Sequence, residues 1–365
     1  MSYITAALLI IIVLWLVPFL FMRGANLEVF DLDDGSDTVR SFADKDGPSE
    51  EHGEIAEMIR SFGSQARRLP KKKQLNFMRS FMENMFEGRE YVSNFIPADA
   101  SGVAAEWVLA PGADPSKRVL YLHGGAFMAG SSRSHRNITN WFSEINGAAV
   151  LAIDYRLMPE NPRKDGIADC RTAYRWILEN GPDGVSPVTQ LVISGDSAGG
   201  NLALSLVAWA RDEGLRAADA VIAFSPTLDG TYSSPSIRNN VSSDLMLGPL
   251  FSVLLKIPAA IRAWTYLIQF RFNQANPLVS PLFGDLSNLP PTLIQVSEAE
   301  MLLDDARRYV RKARASGTHA VAQTWPHMLH VWQIFYPEMP EARQAFQEIK
   351  AFLHGLESRN GPEAF

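Results

Sequence analysis

The stretch that most constrains this chain is Leu191-Val192-Ile193-Ser194-Gly195-Asp196-Ser197-Ala198-Gly199-Gly200-Asn201. A β-branched run meets glycines two residues on either side of a serine, then continues as a Leu/Ala-rich helical pattern over 202–211. Strand, tight turn and helix in that order make a G-x-S-x-G nucleophile turn, which strains the serine backbone and exposes its hydroxyl at the end of a sheet. Glycines at 195 and 199 keep side chains from colliding where strand and helix nearly touch. The helix also points the positive end of its dipole, and the free N–H of Ala198, toward whatever the serine attacks. Ordinary glycine-rich turns match the same five residues, so the weight comes from the flanking elements and from two further segments in the required order.

Strand and helix patterns alternate from residue 104 onward. Strands are expected at 105–109, 119–122, 149–155, 191–194, 220–224, 293–296 and 321–325, with helices at 138–145, 166–178, 202–211, 302–315 and 341–353. Such alternation implies a mostly parallel sheet with helices on both faces and chemistry at the carboxyl ends of its strands. A chain of 365 residues suits one α/β unit carrying a lid or anchor. A formal net charge of −6 gives no support for nucleic-acid binding, and Cys170, the only cysteine, excludes an internal disulfide or a cysteine-rich metal site.

Two other strand ends carry chemistry. His123-Gly124-Gly125-Ala126-Phe127 follows the strand at 119–122, and glycine-rich backbone there offers free N–H groups to the oxyanion that acyl transfer creates. Amides of the 124–126 segment together with that of Ala198 are the expected donors, while His123 is read as a structural turn anchor. A serine hydroxyl also needs an imidazole to take its proton and a carboxylate to orient that imidazole. Carboxylates Glu298, Glu300, Asp304 and Asp305 follow the strand at 293–296, and His327 and His330 follow the last strand. Spacing leaves the acid open among the four and the base open between the two. No third ligand stands at a spacing that would make a metal site of the histidines.

The N-terminus has a separate character. Residues 3–22 carry no charge and are long enough to cross a bilayer as a helix. No Lys or Arg precedes the run and no small-x-small site follows it, so an anchor is expected over a cleaved signal peptide. Arg23 alone does not settle which side of the membrane the body occupies. Residues 25–50 read as an acidic spacer with Asp31, Asp33, Asp34 and Asp37. Ile55, Met58, Ile59 and Phe62, then Met78, Phe81, Met82 and Met85, recur at helical spacing around a basic link of Arg67, Arg68, Lys71, Lys72 and Lys73. The helices are expected to pack on the body; the link is also suited to anionic headgroups.

The segments HGGAF, DYRLMPE, GDSAGGN, and EMLLDD with WPHMLHVW together resemble the hormone-sensitive-lipase-like branch of the α/β-hydrolases, a bacterial esterase family. The resemblance covers 103–356. It implies an α/β-hydrolase fold, a mostly parallel central sheet flanked by helices, with a helical cap; Ser197 as nucleophile, His330 as general base, Glu300 as acid with Asp304 second; and Gly124, Gly125 and Ala198 as oxyanion donors. Glutamate at 300, where the family usually has aspartate, and HGGA in place of HGGG are departures. The expected organisation is an anchor at 1–24, a spacer at 25–50, N-terminal cap helices at 51–100 and a catalytic domain at 101–360 with a cap insertion at 232–272. Within the insertion the apolar run 246–270 reads as a cap helix facing the pocket or a surface dipping into lipid; Pro258, Lys256 and Arg262 argue against a second span.

The expected activity is that of a membrane-anchored serine carboxylesterase on apolar short- to medium-chain esters, needing no metal or organic cofactor. Phe127, Met128 and Trp332 are expected to line the substrate site. A lactone hydrolase or deacetylase would use the same triad. A non-catalytic ligand-binding protein on the same fold is the rival from another class, and it is disfavoured because serine, acid and histidine are all kept. Oligomeric state is left open.

Overall fold

A computed structural model of the protein describes residues 3–32, 38–42 and 47–359. Among them, nine strands form one sheet: β1 Val39–Ser41, β2 Asn94–Asp99, β3 Ala104–Leu109, β4 Asp114–Leu122, β5 Ala148–Ile153, β6 Gln190–Asp196, β7 Ala220–Phe224, β8 Thr292–Ser297 and β9 Ala320–Trp325. Their spatial order is β1-β9-β8-β7-β6-β4-β5-β3-β2. Every pairing from β1 to β5 is parallel, and β3 and β2 close the far end antiparallel. Strand β5 is buried along its whole length, as a parallel strand covered on both faces must be.

Helices α4 (Arg136–Glu144) and α11 (Pro340–Arg359) cover one face, where Trp141 stacks on Phe346 at 4.4 Å. Helices α5 (Arg163–Ile177), α6 (Ala198–Asp212) and α10 (Leu303–Ala315) cover the other. The two expected N-terminal helices are α2 (Glu50–Arg68), capped by the Ser49 hydroxyl, and α3 (Lys71–Asn84). Phe62 stacks against Phe77 and Phe81 at 5.2 and 4.0 Å and joins them. The cap insertion carries α7 (Ser236–Asn239), α8 (Gly248–Leu254) and α9 (Ala259–Phe270), the last two meeting at 112°.

Two N-terminal expectations change. The 51–100 segment is not all cap helix, because residues 94–99 form β2. The 25–50 segment is more than a spacer: Val39–Ser41 pairs with β9, and Asp31 forms a two-pronged ion pair with the buried Arg308 at 2.6 and 2.8 Å. Asp33, Asp34 and Asp37 lie outside the described residues. Helix α1 spans Tyr3–Phe21 and runs alongside α9, with the Trp264 indole donating to Leu14 O at 2.9 Å. Among the described residues no single helix is long and apolar enough to cross a membrane; the described apolar stretch is Ile12–Phe21.

Candidate active site

Ser197 stands between β6 and α6 with φ 51° and ψ −113°, a conformation a serine adopts only where its surroundings force it. The forcing is steric. A Cβ on Gly199 would lie 1.8 Å from Leu122 O, and one on Gly195 would lie 2.5 Å from Gly199 O. Ser197 is part-exposed while the residues on both sides of it are buried.

Glu300 follows β8 and His330 follows β9, so all three side chains come from carboxyl ends of strands in one sheet. The Ser197 hydroxyl lies 2.9 Å from His330 Nε2, and His330 Nδ1 lies 2.6 Å from Glu300 Oε2. The other oxygen of Glu300 accepts from the Ser225 hydroxyl at 2.7 Å and from Ser297 N–H at 2.8 Å. Burial pushes the Glu300 carboxyl above the usual carboxylate range, with His330 and Ser225 pulling it back. Burial alone would depress His330, but the adjacent Glu300 carboxylate outweighs it and holds the imidazole above its usual value.

Beside this chain lie amides without partners. Ala198 opens α6, where a helix leaves its first N–H groups free. Among the described residues, the N–H groups of Gly125 and Ala126 have no hydrogen-bond acceptor. Gly124 does: its N–H donates to Asp196 Oδ1 at 2.9 Å. The amides left free are therefore those of Gly125, Ala126 and Ala198, whereas that of Gly124, expected among the donors, is already taken.

Residues 119–334 match the α/β-hydrolase fold family. The chain belongs to that family. An acetyl-hydrolase from Streptomyces hygroscopicus is 36% identical over 249 residues, 68% of this chain and 79% of the relative. An esterase from Acinetobacter venetianus is 33% identical over 261 residues, 72% and 82% of the two chains. The crystal structure of an esterase from the bacterial hormone-sensitive lipase family superposes with a TM-score of 0.74 at 34% identity, over 86% of this chain and all of that one. This α/β-hydrolase thus falls in the hormone-sensitive-lipase-like branch and is a carboxylic ester hydrolase.

The structure separates the site residues of this hydrolase from the alternatives that spacing left open. Asp304 accepts from Ser236 N–H and pairs with Arg307, Glu298 accepts from Ser41 and Thr324, and Asp305 is buried against the N–H groups of Leu228 and Asp229. None of these reaches His330. His327 is exposed, in a left-handed conformation at φ 67°. His123 is a buried anchor: its ring stacks on Tyr155 at 4.3 Å, and burial pushes its imidazole down to about 4.

Of the three expected substrate-lining residues, Trp332 is misplaced. It begins a short 3-10 turn just after His330 that dives into the core, so its side chain is wholly buried against Trp325. Phe127 is half-buried with the Arg163 guanidinium 3.8 Å over its ring, so it packs against the body as well as flanking the oxyanion loop. Met128 is half-buried, and its carbonyl accepts from Arg79 of α3 at 2.7 Å. The same guanidinium grips Glu160 through two 2.8 Å contacts and ties the N-terminal helices to the oxyanion loop.

Two residues escaped the sequence reading. Asp196 accepts from Tyr121 OH at 2.6 Å and Gly124 N–H, and faces His135 at 3.3 Å. Burial alone would raise its carboxyl; these partners hold it below the usual range. Its position between Gly195 and Ser197 was the available signal. Ser225, at φ 44°, supports Glu300 and accepts from Val331 N–H at 3.3 Å. A serine directly past the end of β7 was its only mark.

Proposed function

We propose that this carboxylic ester hydrolase is a membrane-anchored serine carboxylesterase acting on apolar esters of short to medium acyl length. The observation that carries the reading is the hydrogen-bonded run Ser197, His330, Glu300 at 2.9 and 2.6 Å, beside unpartnered amides. His330 Nε2 takes the hydroxyl proton as Ser197 Oγ bonds to the carbonyl carbon, and the Gly125, Ala126 and Ala198 amides receive the oxyanion. His330 then delivers the proton to the departing alkoxide, leaving an acyl-serine. Water attacks the acyl carbon as His330 accepts its proton, and His330 returns that proton to Ser197 Oγ as the bond to the acyl carbon breaks and the acid leaves. Glu300 keeps the imidazole tautomer that presents a bare Nε2 to the serine.

Short acyl groups are favoured by the relative named acetyl-hydrolase. Lactone opening would follow the same steps, with the alcohol remaining on the product. Anchoring rests on residues 3–22, an apolar run without a charge. The test is turnover of p-nitrophenyl esters of graded acyl length by the wild type and by Ser197→Ala. The variant should lose on the order of a millionfold in turnover, whereas undiminished activity would remove Ser197 from the reaction.

A further inference from the structure

The cap of this hydrolase has its polarity reversed along one face. Helix α8 has no charged residue, and α9 has one, Arg262. On a helix facing water that residue would point outward. Here Arg262 is 7% exposed and turned inward, donating to Ile257 O at 2.9 Å, while Ile261 and Ile268 of the same helix are 50% and 65% exposed. Leu250 and Val253 of α8 extend the apolar face at 67% and 65% exposure. Exposed apolar side chains on two successive helices, with the one charged residue turned inward, mark a surface that something else covers.

The neighbours of the face say what covers it. Helix α1 lies parallel to α9: Leu14 meets Trp264, Phe21 O accepts from Asn273 at 2.7 Å, and Met22 O accepts from Gln274 at 3.0 Å. Its described side chains are apolar and half exposed, Ile12, Trp15 and Phe19 among them, so the two helices present one surface. Basic groups rim it. Arg23 and Arg271 stand exposed where α1 and α9 end, and Lys256 stands at the α8–α9 corner. Arg67 and Arg68 of α2 face Pro249 and Ser252 of α8 across a cleft of about 860 Å³. Apolar centre and cationic margin match a bilayer with anionic headgroups, and they do not match a protein groove, which would also need shape and hydrogen-bond partners.

We propose that the α8–α9 face, continued by α1, lies against an anionic bilayer, so that the catalytic domain rests cap-first on lipid instead of swinging from a tether. The inference rests on the anchoring reading above and adds the orientation of the body. Ester substrates dissolved in the membrane would then meet the cap before they meet water.

The test uses the full chain, in which Cys170 is buried and leaves introduced cysteines as the reactive thiols. An environment-sensitive nitrobenzoxadiazole label is placed singly through Val253→Cys, Ile268→Cys and, as control, Val185→Cys, a position 88% exposed on the short hairpin after α5. With phosphatidylcholine–phosphatidylglycerol vesicles, emission at 253 and 268 should shift to the blue and that at 185 should not. Vesicle-bound protein with no shift at 253 and 268 would overturn the cap contact and leave anchoring intact. Protein that fails to float with the vesicles would overturn both. Retained p-nitrophenyl butyrate turnover shows that each labelled variant is folded.

Discussion

At the scale of single residues, the chemistry reduces to the proton on His330. Only the neutral imidazole accepts from Ser197, and Glu300 holds that imidazole above its usual 6.5. The rate kcat/KM should therefore fall as pH drops through a midpoint above that value, read from a pH–rate profile on a neutral ester. Glu300→Gln removes the cause of the rise and leaves burial, which acts the other way. Its acid limb should move to lower pH, with kcat reduced by about ten-thousandfold, as when a triad acid is neutralised. Asp304→Asn should leave both unchanged, because Asp304 serves Ser236 and Arg307. Ser197 was legible from its glycines and His330 from its motif. The acid was not legible from spacing, since four carboxylates just past a strand look alike until one of them points at an imidazole. Ser225 left almost no trace, because its task is to bridge Glu300 and Val331 N–H through one hydroxyl.

At the scale of elements, the nucleophile turn and the oxyanion loop are joined by Asp196, which sits beside the nucleophile and holds Gly124 N–H. Neither piece can shift alone. The turn has no room for side chains: Gly199→Ala would set a Cβ 1.8 Å from Leu122 O, which is backbone that cannot rotate away. A loss above about 4 kcal/mol is expected, seen as failure to fold or a collapsed denaturation midpoint. The loop holds the opposite case. Ala126 stands at φ 56°, where an L-residue costs roughly 1–2 kcal/mol. Ala126→Gly should relieve that cost, less the extra entropy of an unfolded glycine, for a net gain of about 0.5–1 kcal/mol in urea unfolding. The parallel strands were legible because both faces are buried and they read as apolar runs. Strands β1 and β2 were not: the first is three residues long, and the second is an edge strand containing Pro97 with most of its side chains facing solvent.

At the scale of the whole molecule, the hydrogen bonds that the described residues of the first 24 make to the body go to α9 and the segment just after it. A protein lacking residues 1–24 should keep the p-nitrophenyl butyrate turnover of the full chain and lose co-flotation with vesicles, measured side by side. The leader beyond that cut is fastened twice, by Asp31 on Arg308 and by β1 on β9. The second fastening has a consequence for the protein in a crowd. On the proposed membrane seating, molecules share one plane and one tilt and meet side-on, where an uncovered β9 would offer every neighbour a row of unsatisfied amides and carbonyls to extend. By laying its own leader over that margin, each copy closes the template on which lateral strand exchange would begin.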